Sequence, residues 1–255
     1  MGFIGENGAG KSTTIKCILG LCNADHGEVN IFGQEMKKNA KETFARIGVV
    51  LDDLNLPGDL RISQVEKFCA KLYPYWNAVA FQGYLQKFKL VERKKVKELS
   101  RGMRMKLSLA IALSHGAKLL LLDEATSGLD PVVREEILDL LLEFIQDETK
   151  SVLISSHILS DLEKAADYIA FIHDGKLIFL ENKDLLREEY AIYTPQGDEE
   201  VITTDAIVGK RSHAYGSSYL VRRSLVPPSL TLDRPSIEEI MLFFIKGGRH
   251  VGSTL

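Results

Sequence analysis

The chain is short of the features that would assign it to several large protein classes. Only three cysteines, Cys17, Cys22 and Cys69, occur among its 255 residues. Their odd number and their spacing argue against both a disulfide framework and a metal-ligand cluster. Two of them fall on or beside an apolar helical face, so buried, reduced thiols are expected. No stretch approaches the ~18 consecutive apolar residues of a membrane-spanning helix. The N-terminus has no basic segment ahead of its short apolar one, so a secretory leader pattern is missing as well. A reducing cytoplasm is the expected compartment. The formal net charge of −3 and a pI near 6.1 lack the basic balance of nucleic-acid binders, and no nucleic-acid partner is expected. What remains is ordinary for a globular chain that can bury a core: 45% hydrophobic and 26% charged residues. The length suits one large α/β domain, or a domain with a small appendage.

The most informative feature stands at the very start. Gly5-Glu6-Asn7-Gly8-Ala9-Gly10-Lys11-Ser12-Thr13 fits G-x-x-x-x-G-K-[ST] without a mismatch, between apolar Phe3-Ile4 and an amphipathic run from Thr14 to Leu21. Glycines let backbone N–H groups turn inward around phosphate oxygens, and the following helix adds its positive end. Lys11 is expected to reach the β- and γ-phosphates, and the Ser12 hydroxyl to ligate Mg²⁺. A nucleoside triphosphate is the expected ligand.

Strand and helix signals then alternate. Residues 27–33 alternate apolar and polar between two glycines and read as a half-exposed strand, and Ile47 to Leu51 reads as a buried one. Leu60–Leu72 and Val79–Phe88 have helical spacing and are broken apart at Pro74. Leu119–Leu122 is a buried strand, Pro131 opens a helix to about Gln146, Val152–Ser155 is another strand, and Leu159–Ala166 another helix. Tyr168–Ile172 and Leu177–Leu180 flank a hairpin signal. The pattern is a parallel-sheet α/β core with a helical insertion. Past about residue 189 come short segments such as Tyr219-Leu220-Val221 and Leu230-Thr231-Leu232. A closing helix follows, with Ser236 and Glu239 spaced as a capping box. Residues 247–255 are expected to fray.

Several further signals narrow the chemistry. The strand of leucines delivers Asp123-Glu124 to its C-terminal end, where a doubly wound sheet places its site. Asp123 is expected to hold Mg²⁺ and Glu124 to polarise the attacking water. Ser156-His157 ends the next buried strand, which puts His157 beside the expected γ-phosphate. Leu99-Ser100-Arg101-Gly102-Met103 precedes the helix Met103–Leu113 and, read alone, is only an N-cap; beside the other motifs it also fits a second, incomplete phosphate cradle, with N–H groups and a hydroxyl but no lysine.

Four ordered motifs, GENGAGKST, LSRGM, LLLLDEATSGLD and the SSH histidine, closely resemble those of ABC-transporter ATPases. Within that family the chain resembles ATP-binding subunits of bacterial exporters whose membrane partners are separate polypeptides. Tyr73-Pro74-Tyr75-Trp76 and the C-terminal segment resemble an antibiotic-responsive branch. The resemblance implies a P-loop NTPase fold with a RecA-like parallel core sheet. It places the ATPase domain at 1–188 (core 1–58 and 116–188, helical signature subdomain 59–115) and a small α+β appendage at 189–255. It implies ATP and Mg²⁺ as cofactors and a head-to-tail dimer with a second ATP-binding subunit, in which Ser100 and Gly102 act in trans. It also implies a polytopic permease that holds the subunit at the inner face of the membrane. Lys11, Glu124 and His157 are then the catalytic set. ATP lies on Gly5, Glu6, Asn7, Gly8, Ala9, Gly10, Lys11, Ser12 and Thr13, and Mg²⁺ on Ser12, Asp52 and Asp123.

Three departures from the family pattern stand out. The family carries a further stretch ahead of the loop, with an outer antiparallel strand and an aromatic that stacks on adenine, and this part is largely missing here. Asp52 stands where a glutamine is usual. Arg101 and Met103 replace the commonest signature residues, and Arg101 reads equally as a cation near phosphate or as a solvated surface residue. Asn182-Lys183-Asp184-Leu185 is a near miss to a GTPase base-recognition motif, with a helix start as its alternative reading. No second phosphate loop or long heptad insert points to translation-factor or chromosome-maintenance ATPases. The surviving alternative is a nucleotide-binding module without efficient turnover.

Overall fold

The computed structural model describes residues 1–52, 54–195, 202–213 and 216–247, the side chains of 37–40 excepted. Strand β1 (Gly2–Ile4) is buried along its whole length and runs through the phosphate loop into α1 (Lys11–Ile18). A small hairpin follows, β2 (Asn30–Ile31) and β3 (Gln34–Glu35), then α2 (Met36–Phe44) and β4 (Ile47–Val50). Three helices form an arm: α3 (Ile62–Leu72), α4 (Ala78–Lys87) and α5 (Arg101–Leu113). The chain returns through β5 (Leu119–Asp123), α6 (Pro131–Phe144), β6 (Ser151–Ser156) and α7 (Leu159–Ala165) to the hairpin β7 (Tyr168–His173) and β8 (Lys176–Asn182). It closes with α8 (Lys183–Glu189), β9 (Tyr190–Tyr193), β10 (Ile207–His213), β11 (Gly216–Arg222) and α9 (Ile237–Lys246).

The main sheet has the order β4-β5-β6-β1-β7-β8, with all neighbours parallel except the β7–β8 hairpin. This is the expected α/β core. Alternation along the strands divides the apolar residues between two faces. Ile4, Leu120 and Leu122 join a large core that includes Ile62, Phe81 and Leu107 of the arm, Ile137 of α6, and Ile240 and Phe243 of α9. Leu121 points the other way, into a cluster with Ile15 of α1, Ile31 and Met36. The arm is therefore not a loose insertion; its helices share the main core. Gly48 of β4 lies in close contact with α5. A β-carbon there would lie 2.5 Å from Leu120 Cδ2 and 2.8 Å from the Ala112 carbonyl oxygen of α5.

Helix starts follow their local chemistry. Ser100, Asp130, Asn77 and Ser236 each cap a helix by accepting an N–H from its first turn, and Pro131 occupies the first helical position of α6. Asn182 caps α8 in the same way, so the GTPase-like near miss is a helix start.

Several expectations are corrected. The strand expected over 27–33 shrinks to Asn30–Ile31, because Phe32 (φ 53°) and Gly33 (φ 73°) turn the chain back at once. Tyr219-Leu220-Val221 lies in β11, whereas Leu230 and Leu232 lie outside the strands and pack on the small core of the β9–β11 sheet, next to an Ile192–Asp233 bridge. Of the cysteines only Cys69 is buried, while Cys22 is exposed and Cys17 lies between. Asp53 and residues 248–255, most of the segment expected to fray, lie outside the described residues. Among the described residues no helix is long and apolar enough to cross a membrane.

Candidate nucleotide-binding site

The parallel topology brings the C-terminal ends of β1, β5 and β6 together, and the expected polar residues converge there. Within the loop, Gly8 (φ 85°) and Gly10 (φ 110°) adopt backbone angles that a side chain resists. A β-carbon on Gly5 would collide with the Ile172 carbonyl oxygen of β7. The loop is thus pressed against the sheet, and Lys11 is directed inward. It is 5% exposed, and its Nζ donates to the carbonyl oxygens of Gly5 (2.7 Å) and Glu6 (3.1 Å). The first N–H groups of α1 have no intrahelical acceptor, which suits this helix end to an anion.

Register sets the second half of the site. Asp123 lies beside Ser155 across the β5–β6 ladder, and Ile4 beside Ser156 across β1–β6. Ser155 Oγ donates to Asp123 Oδ1 at 2.6 Å and accepts the Glu124 N–H at 3.0 Å. One hydroxyl therefore orients both carboxylate residues. Sequence reading missed Ser155, because its role depends on β5 and β6 lying side by side in register. Glu124 stands at φ 52°, in the left-handed region, and its carboxylate bridges two partners. Oε1 lies 3.3 Å from Lys11 Nζ, and Oε2 lies 2.7 Å from His157 Nδ1. Lys11, Glu124 and His157, separated widely in sequence, form one continuous polar chain.

Asp52 and Arg101 close the cleft from the side of the arm, with Arg101 Nη2 2.6 Å from Asp52 Oδ1. Arg101 also lies over Gly128, where an added β-carbon would meet its guanidinium at 3.0 Å. Both readings of Arg101 apply: it lines its own subunit's cleft and stays exposed to solvent. That cleft, of about 430 Å³, is lined by Asn7, Gly8, Gly10, Lys11, Ser12 and Thr13, and on the far side by Asp52, Arg101, Glu124, Ser127 and His157. Ser100 and Gly102 do not line it: Ser100 caps α5, and Gly102 sits near Val133 of α6. Among the described residues, no ring but the imidazole of His157 lines the cleft. A larger cavity, of about 650 Å³, opens near Met1, Ile31, Phe32 and Tyr168. Its lining is mostly aliphatic and aromatic and brings no comparable polar set together, so the smaller polar cleft is the candidate site.

Comparisons with known proteins decide the family. The family model described as ABC transporter matches residues 1–127. The chain is 34% identical over 190 residues to the lantibiotic transport ATP-binding protein SrtF of Streptococcus pyogenes, covering 71% of this chain and 78% of that one. The chain belongs to the ABC transporter family. It is also 37% identical over 179 residues to the bacitracin transport ATP-binding protein BcrA of Bacillus licheniformis, covering 69% of this chain and 58% of that one. It spans about three fifths of the length of this and similar relatives. Among solved structures, one described as the ATP-binding subunit of an ABC transporter superposes with a TM-score of 0.64 at 26% identity, covering 73% of this chain and 79% of the other. The P-loop NTPase fold implied by the motifs is thereby established.

Proposed function

We propose that this ABC-family chain binds ATP at the cleft and hydrolyses it to power a separate membrane permease. The observation that carries the reading is the chain of contacts from Lys11 through Glu124 to His157, at the mouth of a phosphate loop. Lys11 supplies positive charge to the β- and γ-phosphates, and the Glu124 carboxylate accepts a proton from the attacking water. His157 holds that carboxylate in place from the neighbouring strand and reaches toward the γ-phosphate. The remaining loop residues, Gly5 to Thr13, wrap the phosphate chain with N–H groups.

The donor set suits Mg²⁺, a hard cation that takes one or two carboxylates and completes its shell with water and substrate phosphates. Among the described residues no group of three His, Cys, Asp or Glu side chains could hold a metal ion unaided. Ser12 and Asp123, with Asp52 through water, would hold Mg²⁺ once phosphate is present. When bound, the ion neutralises charge developing on the phosphoryl oxygens. Ser155 fixes Asp123 for that task.

The signature residues Ser100 and Gly102 stand outside their own cleft, which suits action in trans on a second copy or a related subunit in a head-to-tail dimer. A transport role is supported by the bacitracin and lantibiotic transport relatives, and the permease would anchor the subunit at the inner membrane face. The domain division, with an arm over 59–115 and an appendage from 189, is part of the same proposal. The test is phosphate release by the purified chain with Mg²⁺ and ATP, beside Lys11→Ala and with the titration of a fluorescent ATP analogue. Lys11→Ala should weaken analogue binding at least tenfold, the loss of about 1.4 kcal/mol or more. Unchanged affinity would refute the placement of the phosphates on Lys11. Tight binding without turnover in the unmutated chain would leave a binding module only.

A further inference from the structure

Helix α7 is a short element with three attachments that the reaction itself does not require. It starts directly after His157, with Ile158 as its N-cap and the Ile158 N–H donated to Ser156 Oγ at 2.9 Å. On its inner side the fully buried Leu162 presses on β1. A β-carbon on Gly2 would lie 3.1 Å from Leu162 Cδ1, so helix and strand are closely packed. On its outer side Glu163 faces the C-terminal segment. Its Oε1 accepts the Ile237 N–H at the start of α9 (3.2 Å) and the Arg187 Nη2 donor of α8 (3.1 Å). Its main-chain oxygen takes the Lys183 ammonium at 2.9 Å.

Each of these contacts has a reason to be stiff. A carboxylate at a helix N-terminus satisfies an orphan N–H and meets the positive end of the helix dipole. The guanidinium makes the same oxygen an ion-pair acceptor in a partly buried setting, with both side chains 28% exposed. Helix α9 is itself fixed, because Ile237, Ile240 and Phe243 belong to the main core and its own capping box closes its first turn. The path α9–Glu163–α7–Ile158–His157–Glu124 therefore consists of packed or hydrogen-bonded neighbours at every step.

We propose that Glu163 is a positioning residue through which the C-terminal segment sets the placement of His157. The proposal rests on the ATPase reading for its kinetic arm but not for its spectroscopic one. Glu163 does not line the cleft; it holds α7, and α7 holds the turn that carries the imidazole. A change in the C-terminal segment, whether by mutation or by a partner bound to it, then reaches the catalytic carboxylate through His157. Coupling along such a path typically changes a rate by about 2- to 30-fold.

The experiment uses the full chain and the variants Glu163→Gln, Glu163→Ala, Arg187→Gln, His157→Ala and the double variant of Glu163→Ala with His157→Ala. The first readout is the ring NMR signals of His157, with exposed His26 as an internal control. Loss of the Glu163 contacts should shift the His157 signals in folded protein and leave His26 unchanged. The second readout is turnover: Glu163→Ala should lower kcat while the Kd for ATP stays constant, and should have no further effect in the His157→Ala background. A lowered melting temperature with unmoved His157 signals and additive kinetics would make Glu163 a purely structural residue and overturn the proposal. Should Glu163→Ala fail to fold, Glu163→Gln and Arg187→Gln remove only the ion pair and decide the matter by the same signals. An absence of turnover in the unmutated chain would sink the ATPase reading, while the NMR arm would still decide the role of Glu163.

Discussion

Replacing Glu124 by glutamine removes one charge at the point where three functional groups meet, and two opposite effects should follow. The general base is lost, so turnover should fall by about 10²–10⁴-fold. ATP should at the same time bind more tightly. Lys11 Nζ lies 3.3 Å from Glu124 Oε1 in a pair that is 5% and 16% exposed. At an effective dielectric of ~20 that attraction amounts to about 5 kcal/mol before desolvation and rearrangement are subtracted. The carboxylate also repels the triphosphate it faces. A net gain of about 1–2 kcal/mol survives those offsets, which corresponds to roughly 5- to 30-fold in Kd. Glutamine keeps an acceptor and a donor within reach of His157, so the pocket is preserved. The assay pairs phosphate release at saturating ATP with equilibrium titration of a fluorescent analogue. Near-normal turnover would show that Glu124 is not the base. Weakened binding would show that its carboxylate assists phosphate rather than competing with it for Lys11.

Further expectations concern other residues. Asp52→Ala should raise the Mg²⁺ concentration for half-maximal activity, whereas Arg101→Gln should lower it by freeing the Asp52 carboxylate; the exposed pair limits either shift to about fivefold. Identical Mg²⁺ curves for all three proteins would remove Asp52 from the metal site. Thiol labelling should run Cys22 first, Cys17 next and Cys69 last, since burial pushes the Cys69 thiol up to about 11 and keeps it protonated at neutral pH. Native-state labelling of Cys69 as fast as Cys22 would contradict the packing of α3. Gly48→Ala should destabilise the fold by about 1–3 kcal/mol in chemical denaturation, because the Ala112 backbone oxygen cannot step aside. A neutral result would mean that α5 does not press on β4 as closely as described.

The parts of the molecule legible in the sequence are those governed by short-range rules. The phosphate loop declares itself because its glycines, lysine and hydroxyl must be neighbours in the chain. The buried strands β4, β5 and β6 are short apolar runs, and the helix caps at Ser100, Asp130 and Ser236 follow from local hydrogen bonding. The Arg101–Asp52 pair was not legible, since it joins the start of α5 to the end of β4 across the fold. The role of Ser155 depends on β5 and β6 being adjacent in register, which no local pattern states. Phe32 misleads for another reason. A phenylalanine gives no hint of a left-handed turn, yet it occupies one and cuts short the strand that the alternating pattern implied. Leu230 and Leu232 alternate like strand residues but serve a small side cluster, where burial alone sets their identity.

The left-handed backbone of Glu124 has a consequence for how this protein tolerates change. An L-residue at φ 52° sits about 1–2 kcal/mol above its relaxed conformation, a cost that glycine escapes. Glycine at position 124 would relieve that strain but would strip the buried Lys11 ammonium of its carboxylate and His157 of its partner, so the strained conformation is held in place by the same two contacts that the proposed reaction uses.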